Sequence, residues 1–264
     1  MKGTGYIPSP KDLRNYKINK VCMVSKLPAK YEAPHSRIKD QKNVGSCVAF
    51  STSSVLETKY GKDYSTAWIY GYRPDGYYQG IGMCVLDALK TIYKKGFVEE
   101  RELKGNYEMQ KAKEVVDYYL GTNPDIKNKT FGYAELHNIN EIKQAIYMTG
   151  LPVLVSCDVD NLQYDENYVV YIPQDTRGGH QMVCYGWNET GLLIQNSWGE
   201  EFGNKGTIIL PYNYPITEAW MIRFEKPEEP KPIEPKPDVI VKPKWYWLRD
   251  LIMYIVKLFR RFKK

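Results

Sequence analysis

The stretch Gln41-Lys42-Asn43-Val44-Gly45-Ser46-Cys47-Val48-Ala49-Phe50-Ser51 constrains this chain more than any other. A polar, glycine-containing approach ends at a cysteine at the point where an apolar helix can begin. Phe50, Val55 and Tyr60 then punctuate a helix of about twelve residues. Cys47 thereby falls at a helix N-terminus, where unpaired backbone N–H groups and the dipole favour thiolate over thiol. A free cysteine is also among the most buried residue types, so Cys47 on its own reads as an inert core filler.

Two distant segments change that reading. Gly178-Gly179-His180-Gln181-Met182-Val183 sets one of three histidines at the entry to a strongly apolar strand, and Leu193-Ile194-Gln195-Asn196-Ser197-Trp198-Gly199 follows it. Cysteine, then histidine, then asparagine is the order of a thiol protease triad whose members meet only in the fold. Together with Gln41, six positions before Cys47, these segments resemble the papain-like cysteine peptidases. The resemblance runs from about Leu27 to about Phe224, and Gly203-Asn204 with Gly206-Thr207-Ile208 matches the family's Gly-x-x-Gly stretch, threonine standing where an aromatic is common.

The resemblance implies an α+β, two-lobe fold: a helical lobe, an antiparallel sheet or partial barrel, and the active site in the cleft between them. It implies a Cys47 thiolate paired with the His180 imidazolium, Asn196 orienting that ring, and Trp198 covering their hydrogen bond. Gln41 would donate to the developing oxyanion, a role whose loss typically costs ~3 kcal/mol. Gly80, Gly82, Val153, Cys157 and Gly179 would line the substrate, with Val153 to Asp158 helping to form a pocket for an apolar or aromatic side chain. Read by itself, Cys157 is more simply a buried strand cysteine. Val48 departs from the family's tryptophan after the nucleophile, so packing beside the cleft must differ. A peptide or protein substrate is expected, and neither a cofactor nor a metal. The remaining histidines, His35 and His137, lack metal-site spacing.

Residues 1–26 read as an N-terminal arm, an edge strand with flanking coil, too short for a long helical propeptide. Residues 27–225 form the peptidase domain, helical over about 40–125 and sheet-rich over about 126–225. Within the helical part, Ser65 to Tyr70 gives a short helical turn, Val85 to Tyr93 recurs at helical spacing until Gly96, and Glu108 to Leu120 is a weaker helix. Beyond it, Phe131–Leu136 is strand-like and Glu141–Met148 a short helix. Strands follow at Val153–Cys157, Tyr168–Ile172, Gln181–Tyr185, Gly191–Gln195 and Thr207–Leu210.

Charge narrows the partners. The net +6 resides entirely in Lys226–Lys264, with 11 Lys+Arg against 5 Asp+Glu, so the first 225 residues are balanced and offer no footprint for nucleic acid. Within that tail, 226–244 is a proline-rich spacer, and 245–264 is a basic amphipathic helix suited to a peripheral membrane surface or a protein partner. The scattered cysteines and a start without a 7–15-residue apolar run point to a reducing compartment such as the cytoplasm. The competing function classes are a catalytically silent peptide-binding module and a transglutaminase-like acyltransferase.

Overall fold

The computed structural model describes residues 3–11, 26–73, 82–104, 112–122, 124, 126, 130 and 132–224. The spacer and basic helix read at 226–264 lie outside the described residues, as do Cys22 and Gly80.

Helix α1 (Cys47–Tyr60) begins at Cys47 as the sequence predicts and closes on Gly61, whose φ of 67° suits a left-handed C-terminal cap. Every residue from Cys47 to Glu57 is buried, so α1 is enclosed on all sides for three turns. Three of its buried hydroxyl side chains each find a carbonyl: Thr52 Oγ1 donates to Val48 O at 2.7 Å, Ser53 Oγ to Tyr64 O at 2.6 Å and Ser51 Oγ to Gln181 O at 2.9 Å. The last of these pins the helix to the strand that carries His180.

Around α1 lie α2 (Thr66–Gly71), α3 (Val85–Lys94) and α4 (Ala112–Gly121). The Ser65 hydroxyl caps α2 by accepting from Trp68 N at 3.1 Å. Val85, Leu86, Ala88, Leu89 and Ile92 give α3 the buried stripe that its sequence spacing predicts. Helix α5 (Ile139–Thr149) starts two residues before the predicted Glu141. There, Asn138 Oδ1 accepts from Glu141 N at 2.9 Å while Glu141 Oε2 accepts from His137 N at 2.8 Å, a reciprocal cap.

Among the described residues one nine-stranded sheet forms from β1 (Tyr6–Ile7), β2 (Tyr31–Glu32), β3 (Met83–Cys84), β4 (Gly132–Leu136), β5 (Val153–Val159), β6 (Gly178–Trp187), β7 (Gly191–Gln195), β8 (Thr207–Pro211) and β9 (Ile216–Arg223). The order is β3-β1-β6-β5-β9-β4; β2 and β7 also pair with β6, and β8 with β7, so the sheet curls and partly closes. All ladders are antiparallel except β1 with β3.

Period-two alternation assigns the two faces. Leu154, Val183, Trp220 and Ile222 pack with α1, α2 and α3 in one hydrophobic cluster. Their neighbours Val153, Val155, Met182, Cys184 and Ala219 pack with Ile142, Ala145 and Ile146 of α5 in a second. The molecule is thus α+β: α1 to α4 pack on one face of the sheet, and α5 packs with the curled, barrel-like core on the other.

Three expectations are revised. Tyr168–Ile172 is no strand: Val169 and Val170 make only isolated bridges, and Tyr168 takes a φ of 62°. The eight-residue β9 is missed by the sequence reading. The arm places β1 between β3 and β6, so it is an interior strand and not an edge.

Candidate active site

The turn before α1 is shaped by Lys42, at a φ of 57°, whose N–H donates to Asp40 Oδ1 at 2.8 Å. Gln41 is thereby held against the loop that follows β7: its N–H donates to Ser197 O at 2.8 Å and its Oε1 accepts from Ser197 Oγ at 2.6 Å. With Oε1 occupied, the amide Nε2 is left to donate, to Val44 O at 2.7 Å and Gly3 O at 3.2 Å.

The antiparallel pairing of β5 and β6 sets His180 opposite Cys157. His180 Nε2 lies 2.7 Å from Asn196 Oδ1, and that same oxygen accepts from Ser197 N, also at 2.7 Å. A backbone N–H can meet only the amide oxygen, so the orientation of the Asn196 amide is fixed. Nε2 must then carry the ring proton, and Nδ1 keeps its lone pair. Trp198 stacks on the imidazole, with centroids 4.6 Å apart at an interplanar angle of 28°. His180 Nδ1 is buried and has no hydrogen-bond partner among the described residues. Ser51, one turn along α1 from Cys47, donates its Oγ to Gln181 O at 2.9 Å, which sets the Cys47 end of the helix beside the same strand. Contacts thus join His180 to Asn196 and Trp198 and, through Ser197, to Gln41, while Cys47 is fully buried at the head of the helix that Ser51 ties to β6.

The family model for papain family cysteine proteases matches residues 77–218, more than half of the chain, and takes in His180 and Asn196. The chain belongs to the papain family of cysteine proteases. Cys47 and Gln41 lie before the matched span, so their place rests on the geometry above. A cathepsin L-like proteinase of Fasciola hepatica is 25% identical over 212 residues, which cover 75% of this chain and 63% of that protein. This papain-family chain therefore spans less than two thirds of that relative. Mexicain of Jacaratia mexicana is 24% identical over 182 residues, 65% of this chain and 80% of mexicain. Among solved structures, xylellain from Xylella fastidiosa superposes with a TM-score of 0.71 at 22% identity, covering 85% of this chain and 97% of xylellain. That superposition carries the two-lobe papain-like fold.

The papain-family pair departs from expectation in its ionisation. Burial pushes the Cys47 thiol up to about 12, against which backbone hydrogen bonds from Gln181, Val48 and Gly5 work in the opposite direction. Burial likewise pushes His180 down to about 4, partly offset by its bond to Asn196. Both groups are fully enclosed. At neutral pH the enclosed pair is thiol and neutral imidazole, because the helix N-terminus cannot replace the water that a thiolate and an imidazolium would lose.

Two expected substrate contacts are corrected. Val153 pairs with Cys184, four residues along β6 from His180 and so roughly 13 Å away, and its side chain is in the barrel-side core. Cys157 is in the same core, and burial, with Asp158 and Cys47 nearby, raises its pKa. Gly82 and Gly179 instead lie against the Gly5–Tyr6 stretch of the arm. A Cβ on Gly82 would come within 2.7 Å of Gly5 O, and one on Gly179 within 2.5 Å of the Tyr6 ring, so a second backbone can approach only because both are glycine.

Sequence reasoning missed that second backbone and the floor beneath it. Tyr6 OH donates to Glu218 Oε2 at 2.8 Å, and Trp220 Nε1 donates to Glu218 Oε1. The available signal was Glu218 itself, a carboxylate in register with Trp220 and Ile222 on the helix-facing side of β9.

Proposed function

We propose that this chain hydrolyses peptide bonds, with Cys47 as nucleophile, His180 as proton shuttle, Asn196 as the ring's positioning partner and Gln41 as an oxyanion donor. The observation that carries the reading is the His180 ring: Nε2 is held by an acceptor-only oxygen, so the bare Nδ1 is left to take the thiol proton. In the first half-reaction the Cys47 sulfur attacks the carbonyl carbon and its proton passes to His180 Nδ1. The negative charge on the carbonyl oxygen meets Gln41 Nε2 and the Cys47 N–H. Collapse of that intermediate breaks the C–N bond, and the same proton leaves with the amine. Water then gives a proton to Nδ1 and adds to the thioester, and the sulfur departs to recover the proton as the acid is released.

The substrate class is a peptide or protein, in keeping with the family. Cleavage of a diverse peptide library by the full chain, with Cys47→Ala as the control, tests the reading. Turnover should disappear in the variant while its unfolding midpoint hardly changes. Equal hydrolysis by Cys47→Ala would overturn the assignment, as would no hydrolysis by a chain whose Cys47 is open to alkylation.

A further inference from the structure

Resting on the peptidase reading above, we propose that Lys39 is a positioning residue for the oxyanion donor: its ammonium, seated on Glu57 and Ser53 of α1, sets where Gln41 stands relative to Cys47. The segment that ends in Gln41 is bound on one side to the loop after β7. Asp40 faces Trp198 in an antiparallel bridge, closed by Gln41 N–H donating to Ser197 O at 2.8 Å and Gly199 N–H donating to Lys39 O at 3.0 Å. Farther back, Gln195 Nε2 donates to Ser36 O at 3.2 Å and to Arg37 O at 3.0 Å. These bonds fix Gln41 against the loop that holds Asn196, but none of them reaches the helix that carries Cys47.

Lys39 makes that connection. Its side chain leaves the bridge for α1, where Nζ donates to Glu57 Oε1 and, at 2.9 Å, to Ser53 Oγ. Ser53 and Glu57 are four residues apart and so share one face of the helix. Both are themselves held, Ser53 Oγ donating to Tyr64 O at 2.6 Å and Glu57 Oε1 accepting from Tyr64 N at 3.1 Å. The side chains of Lys39 and Glu57 are only 8% and 4% exposed, so water does not loosen the pair. An enclosed ion pair adds little net stability over an apolar pair of the same volume, yet it is particular about place, because an ammonium shifted away from its carboxylate is buried uncompensated.

The direct route from Gln41 to Cys47 is a poor ruler by comparison. It runs through Lys42 at a φ of 57° and then a turn in which Val44 N donates to Gln41 O at 3.3 Å and Ser46 N to Val44 O at 2.9 Å. A left-handed backbone at a residue other than glycine persists only where its surroundings over-determine it, and the Lys39 clamp supplies that constraint. Gln41 Nε2 must meet the developing oxyanion at hydrogen-bond distance, so a shift of about 1 Å in this segment is felt in the transition state.

The test removes both charges at once, Lys39→Met with Glu57→Gln, since losing one partner strands the other whereas losing both leaves no buried charge. The full chain and this double variant are compared well below their unfolding midpoints. On a peptide substrate kcat should fall about tenfold with KM changed less than about threefold, and beside Gln41→Ala the same pair should cost less than about threefold, because no donor is left to misplace. Ser53→Ala, a milder variant that keeps the ion pair, should lower kcat by about threefold and likewise lose its effect beside Gln41→Ala. Hydrogen exchange read by mass spectrometry should quicken at least about tenfold over 36–41 and 197–199 in the double variant and stay unchanged over 153–159. An unchanged kcat in both variants would overturn the proposal. So would a loss that persists in full beside Gln41→Ala, or exchange that rises uniformly along the chain, since either would mark a general loss of stability. Exchange needs no peptidase activity: local quickening in a chain that hydrolyses nothing would refute the proposed function and leave the clamp standing.

Discussion

Enclosing a neutral imidazole makes the fold acid-sensitive in a way that can be worked out from His180. Its pKa is about 4 in the fold against an ordinary 6.5, with burial the main cause. Below pH 6.5 the unfolded chain binds a proton that the folded chain refuses, so stability falls as the pH drops through that value and levels off only below the folded pKa. Integrated over the window, this group alone removes about 2 kcal/mol between pH 7 and pH 5 and about 3 kcal/mol between pH 7 and pH 4. The contribution of His180 is isolated by difference. The perturbation is His180→Gln, which keeps a polar side chain but cannot titrate. Urea unfolding of both chains at pH 7 and pH 5 gives two stability losses, and that of the unmodified chain should be larger by about 2 kcal/mol. Losses that agree within about 0.5 kcal/mol would refute the claim that a buried neutral His180 is what the fold protects. The thiol runs the other way: its pKa is raised from 9.0 to about 12 by burial, so Cys47 adds a second loss of stability only as pH climbs past 9.

Gln41→Ala should lower kcat by about a hundredfold with little change in KM, because an oxyanion donor acts mainly on the transition state. An effect confined to KM would assign Gln41 to ground-state binding instead. Farther from the chemistry, Lys39 Nζ is buried against Glu57 Oε1 and donates to Ser53 Oγ at 2.9 Å. Glu57→Gln leaves that ammonium buried beside a neutral amide and should cost about 3–5 kcal/mol by chemical denaturation. A loss under about 1 kcal/mol would mean that the ammonium finds water at little cost.

The candidate catalytic residues stand out in the sequence because such chemistry is restricted to few residue types in tight local settings. A cysteine opening a helix, a histidine after two glycines and an asparagine before Ser-Trp-Gly each carry their own context. The strands of the barrel side were legible for a related reason, since Gly191–Gln195 and Val153–Val159 are apolar runs closed by turns. β9 escaped because Glu218 interrupts the very face that Trp220 and Ile222 bury, and a carboxylate there spoils the alternation by which a strand is recognised. Val153 misled because the side chains of one strand point to opposite faces, and a resemblance to a pocket wall does not say which residues face the cleft. Tyr168–Ile172 is rich in β-formers, yet finds only isolated bridges, since pairing is decided by partners and not by propensity.

The ionisation of Cys47 was beyond any local reading, because burial by distant parts of the chain sets it, and the start of a helix does not report that burial. A helix N-terminus biases a thiol toward the thiolate only while water or an opposite charge can share the load. Cys47 and His180 are both fully enclosed, so the same burial that raises the thiol also lowers the imidazole. Readmitting water to the two groups should therefore lower the thiol pKa and raise the imidazole pKa together, which is the direction in which a proton moves from Cys47 to His180.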